Sequence, residues 1–140
     1  MRLERFLAVI GAAVCLIVSV RVWQVVGDQQ PMWPLPGLYV IEMIAVSCIG
    51  LLGIIRNDRS GAMMAWISVG VLFAFVVMGA WSIGFLYLPA ALLLVVAAVT
   101  ADRRHRYRLS PHLVLVVIAA IAQVAAMLVA IRLLYPSAVF

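Results

Sequence analysis

At 140 residues, 68% apolar and only 11% charged, with a mean hydropathy of +1.23, the chain is far from soluble-domain composition. Such a domain averages roughly 45–50% apolar and about 25% charged residues. The length holds five or six membrane crossings of about 20 residues each and excludes a sizeable extramembrane domain. The net charge of +5 is carried entirely by arginine. These arginines sit where apolar runs stop and read as topology signals, so no nucleic-acid partner is expected.

The first expected span covers residues 6–26. Arg2 and Arg5 precede it, as in a signal peptide, but Val18-Ser19-Val20-Arg21 is a poor cleavage site and an uncleaved span is expected. Residues 27–36 form a polar connection in which Pro31, Pro34 and Pro36 forbid a continuous helix. The second span covers 37–55 and ends at the polar turn Arg56-Asn57-Asp58-Arg59-Ser60; the third covers 61–81. Gly61 to Thr100 carries no charge. As one helix it would be about 60 Å long, twice the hydrocarbon thickness, so it must fold back. Trp81 to Phe85 is the expected turn, with Gly84 as the breaker, and the fourth span covers 85–101. The charged segment Asp102 to Ser110 follows, then Pro111 opens the fifth span, 111–134.

Five spans place Arg2, Arg5, Arg56, Arg59, Arg103, Arg104, Arg106 and Arg108 at one end and only Arg21 and Arg132 at the other. The positive-inside rule makes the richer end cytoplasmic, with the C-terminus outside. The expected fold class is an all-α polytopic bundle of the bacterial inner (plasma) membrane, a single unit over 1–140. Trp23, Trp33, Tyr39, Trp81, Tyr87 and Tyr135 fall at outer span ends and read as an interfacial belt. Packing in lipid depends on close backbone approach. Stripes of small residues are therefore expected to face helix contacts: Gly11, Cys15 and Ser19; Ser47, Gly50 and Gly53; Gly70 and Ala74; Ala122, Ala126 and Ala130. One or two of these stripes are alternatively available for self-association.

Glu42 is the sharpest anomaly, because a carboxylate inside a span is costly. Arg21 lies at nearly the same depth on the neighbouring antiparallel helix, and an Arg21–Glu42 ion pair is the economical reading. Arg132 enters from the fifth span at the same end. Arg21, Glu42 and Arg132 thus form a candidate outer-leaflet pocket for a lipid headgroup or isoprenoid phosphate, arginine being suited to phosphate. Gln123, at mid-span, is expected to bond across helices. Cys15 and Cys48 share a depth at which a disulfide is conceivable, but helical rotation does not let one interface centre both pairs, and the charged pair is preferred. Arg103, Arg104, Arg106 and Arg108 form a loop able to face anionic lipid. His105 and His112 do not form a metal motif. The sequence carries no catalytic constellation, redox dithiol or Gly-rich phosphate loop. Neither enzyme activity, a cofactor nor a metal is expected.

The expected function is a non-catalytic accessory or scaffold subunit of a membrane complex, or a lipid-interacting bundle. The partners would be membrane lipids, a second copy or a larger assembly. The alternative is an oligomeric small-solute transporter or channel protomer using Glu42.

Overall fold

The computed structural model describes residues 2–28, 31, 33–34, 37–79 and 83–134. Its elements are α1 (Leu3–Gly27), α2 (Gly37–Arg56), α3 (Arg59–Met78), α4 (Leu88–His105) and α5 (Leu109–Leu134), with a short 3-10 turn, Gly84–Tyr87, leading into α4. The described structure is all-helical, and its five helices are long and apolar enough to cross a membrane.

The connections follow from local chemistry. Asn57 adopts a left-handed backbone with φ 60°, which asparagine tolerates because its short side chain bonds locally. Asp58 then caps α3 by accepting from the Gly61 N–H. That bond, with the Arg56 guanidinium alongside, holds the Asp58 carboxyl below the usual carboxylate range. The α2–α3 hairpin closes tightly. A Cβ on Gly53 would lie 2.5 Å from the Gly61 carbonyl oxygen, and one on Gly61 would run into that of Gly53. Between α3 and α4 the chain folds back as expected. Helix α3 ends at Met78, and the Gly84 N–H donates to the Gly79 carbonyl at 2.9 Å. Trp81 lies outside the described residues.

Helix α4 extends further into the charged segment than the expected end at residue 101. Arg103, Arg104 and His105 occupy its last turn, where cations meet the partial negative charge of a helix C-terminus. Arg106, in the left-handed region at φ 56°, stops it. Asp102 is thereby carried into the bundle.

Helices α1, α2, α3 and α4 pack in a ring, each against the next and α4 against α1, while α5 lies outside the ring along α3. Helix α3 is the most buried and α5 the least. The small residues of α1, α2 and α3 do face inward: Gly11, Cys15, Ser19, Ser47, Gly50, Gly53, Gly70 and Ala74 are all buried. Those of α5 do not. Ala122 and Ala126 are exposed and Ala130 is half-buried. The side of α5 that meets α3 is instead marked by Ala119, Gln123 and Met127, because Gly70 on α3 leaves room for the Val116 carbonyl and the Ala119 methyl.

The aromatic belt needs correction at Tyr87, and at Tyr39, whose hydroxyl is buried. Tyr87 is fully buried, with its hydroxyl 3.1 Å from Ser19 Oγ and its ring edge-on to Phe75. A buried phenol needs a partner for its hydroxyl, and the stripe of α1 supplies one. Trp23 and Trp33 are exposed, as belt residues would be. Tyr135 lies outside the described residues.

Candidate functional site

Two polar constellations stand out against the apolar helices. The first is at the arginine-rich end, where the start of α1, the α2–α3 turn, the end of α4 and the start of α5 converge. Asp102 is at its centre, 1% exposed. Its Oδ2 accepts from Trp66 Nε1 at 2.7 Å and meets His112 Nδ1 at 2.6 Å. The three side chains come from α4, α3 and α5. The Trp66 indole stacks on the His112 ring, and Tyr107 meets that ring edge-on. Asp102 Oδ1 is buried and has no hydrogen-bond partner among the described residues. Around this centre Arg104 pairs with the buried Glu4 at 2.6 Å, joining α4 to α1. His105 Nε2 lies 2.9 Å from Asn57 Oδ1, and Arg5 donates to the Ile55 carbonyl at 3.2 Å. Arg103, Arg106 and Arg108 remain exposed.

Two clefts open beside His112. One, of about 250 Å³, is lined by Arg59, Tyr107, Arg108, Pro111 and His112. The other, of about 430 Å³, shares Arg59, Pro111 and His112 and continues along Met63, Val114 and Leu115.

The second constellation is near the opposite end. Gln123 Nε2 donates to Glu42 Oε1 at 2.6 Å, linking α5 to α2 across the face of α3. Both line a cleft of about 330 Å³ with Tyr39, Leu38, Met127 and Ala130. The Tyr39 hydroxyl is buried without a hydrogen-bond partner among the described residues.

This geometry corrects the expected ion pair. Arg21 is exposed and makes no salt bridge to Glu42. The two residues match in depth but not in rotation. Helix α1 turns the stripe Cys15, Ser19 and Val22 to the bundle, and Arg21 is about 200° around the helix from Ser19. Glu42 reaches toward α5 instead. Arg132 is exposed too, and neither arginine lines the Glu42 cleft. Cys15 is buried, with its thiol 3.4 Å from the Met43 carbonyl, whereas Cys48 is exposed; both are free. Among the described residues no group of three His, Cys, Asp or Glu side chains is placed to hold a metal ion.

The Glu42 contact gives a first expected outcome. In detergent, Gln123→Leu removes the donor of a half-buried carboxylate and lowers unfolding free energy by about 1–3 kcal/mol. Arg21→Gln, on the lipid- or water-facing side, changes it by less than about 0.5 kcal/mol. A denaturant titration giving the reverse order contradicts the contact.

Comparison with protein-family models, with curated proteins and with solved structures finds no match to the chain.

Proposed function

We propose that the chain is a multi-pass protein of a bacterial inner (plasma) membrane, with its N-terminus cytoplasmic and its C-terminus outside. In this reading it is a non-catalytic accessory or scaffold subunit that contacts lipid and a partner helix. The orientation rests on eight of ten arginines falling at one end of the five-helix arrangement.

The observation that carries the function is the placement of α5. The small-residue stripes of α1, α2 and α3 are spent inside the bundle, while Ala122 and Ala126 of α5 are exposed on the least buried helix. In lipid, such a surface permits the close helix approach on which association depends. Polar groups inside the bundle support a scaffold role, since Ser19–Tyr87, Trp66–Asp102–His112 and Glu4–Arg104 each tie one helix to another.

The test is to replace Ala122 and Ala126 together by Leu and measure particle mass in mild detergent. The expected outcome is loss of an assembled species with the chain still folded. A monomer before and after substitution removes the partner-helix reading.

A second reading, an oligomeric transporter or channel protomer, is favoured by the Glu42 cleft, which a carboxylate and an amide line together beside Tyr39. It requires Glu42→Gln to abolish solute flux in proteoliposomes while leaving stability intact.

A further inference from the structure

The geometry points to a discrete site for the phosphate of an anionic phospholipid in the paired clefts between the starts of α3 and α5. This rests on the lipid-interacting part of the function proposed above and assigns it to particular residues. Arg59 and Arg108, both exposed, stand on the smaller cleft and offer two guanidinium groups to one anion. Guanidinium forks bind phosphate oxygens in pairs. His112 lines both clefts, and its residue is 5% exposed. Asp102 engages Nδ1 at 2.6 Å, which fixes the ring and leaves Nε2 with no hydrogen-bond partner among the described residues. The held ring is a fixed wall shared by the two clefts, and the charge of the anion is met by the two arginines.

The larger cleft gives the occupant its class. It begins at Arg59 and runs past Met63, Val114 and Leu115, one turn or more inside α3 and α5. The polar cleft lies at the helix ends, and the apolar one leads from it along the bundle. A soluble phosphate would use only the first; a phospholipid uses both, placing its headgroup at the arginines and an acyl chain along the apolar wall. Arg104 is excluded from the site by its bond to Glu4. Arg103 and Arg106 are exposed but line neither cleft. They supply the control, because they carry the same charge at the same end of the bundle.

The experiment uses the full chain in mild detergent, with retention of phosphatidylglycerol and phosphatidylcholine read by native mass spectrometry. The native chain should retain phosphatidylglycerol preferentially. Arg59→Gln with Arg108→Gln should weaken that retention about tenfold or more, as expected for losing charged hydrogen bonds. Arg103→Gln with Arg106→Gln should weaken it less than about twofold. Millimolar glycerol phosphate should not displace the lipid. Equal losses in the two double variants would mean diffuse attraction to a basic end; the site falls while the lipid-interacting reading stands. No preference for phosphatidylglycerol in the native chain removes both. Displacement by glycerol phosphate alone makes this a free-phosphate site and overturns the lipid assignment.

Discussion

Asp102→Ala should be among the most damaging single substitutions in the chain. It strips the acceptor from the Trp66 indole and from His112 at once, and both donors are buried. An orphaned buried donor costs about 1–3 kcal/mol, so the pair costs about 2–6 kcal/mol of unfolding free energy in mixed micelles. Asp102→Asn should cost less, about 1–3 kcal/mol. Its carbonyl oxygen can occupy the position of Oδ2 and still accept both bonds, but its amide then stands at the position of Oδ1 as a buried donor with no hydrogen-bond partner among the described residues. If the Asn variant is as damaged as the Ala variant, one carbonyl oxygen does not replace the carboxylate as acceptor for the two donors. A change below about 0.5 kcal/mol for Asp102→Ala, the level of an ordinary surface substitution, would show that the three side chains do not clasp the helices.

How much of this was legible beforehand differs between fold and site. Helix number follows from hydrocarbon thickness and from where charge appears, both of which are linear properties of a sequence. The inward stripes of α1, α2 and α3 were legible too, because small residues at three- and four-residue steps mark close approach. Asp102 was not. It opens a run containing four arginines, and such composition reads as a solvated loop; only the continuation of α4 through that run buries it. A signal was nonetheless present in Trp66, whose indole N–H lies inside an apolar span and needs an acceptor. Its acceptor is 36 residues away, and no periodicity connects the two. Glu42 failed differently. Its depth could be counted along the helix, but its azimuth depends on which neighbour α2 turns that face toward. Antiparallel succession suggested α1, whereas α5 packs along α3 and supplies Gln123.

Gly70→Leu should release α5 from the bundle, and Gly70→Ala should begin to. A Cβ at Gly70 would lie 2.5 Å from the Val116 carbonyl oxygen and 2.9 Å from the Ala119 Cβ. The first contact is with backbone, so relief requires moving α5 and not rotating a side chain. Overpacking of this kind costs about 1–3 kcal/mol for a small group and more for a larger one. Gly11→Ala is the matched control. There the new methyl meets Leu93 Cβ at 3.2 Å and Leu94 Cγ at 3.3 Å, contacts that call for shifts of a few tenths of an ångström and not for displacing a backbone carbonyl, and the loss should stay below about 1 kcal/mol. Spin labels on the exposed faces of α3 and α5 should report a longer, broader distance in Gly70→Leu than in the native chain. Displacement of α5 also strains both of its polar clasps, His112 to Asp102 and Gln123 to Glu42. The costs of Gly70→Leu and Asp102→Ala should therefore not add, because the first has already loosened the bonds that the second removes. Coupling of about 0.5–3 kcal/mol is typical where two substitutions act on a shared element. Full additivity, with an unchanged α3–α5 distance, would mean that Gly70 does not set the docking of α5.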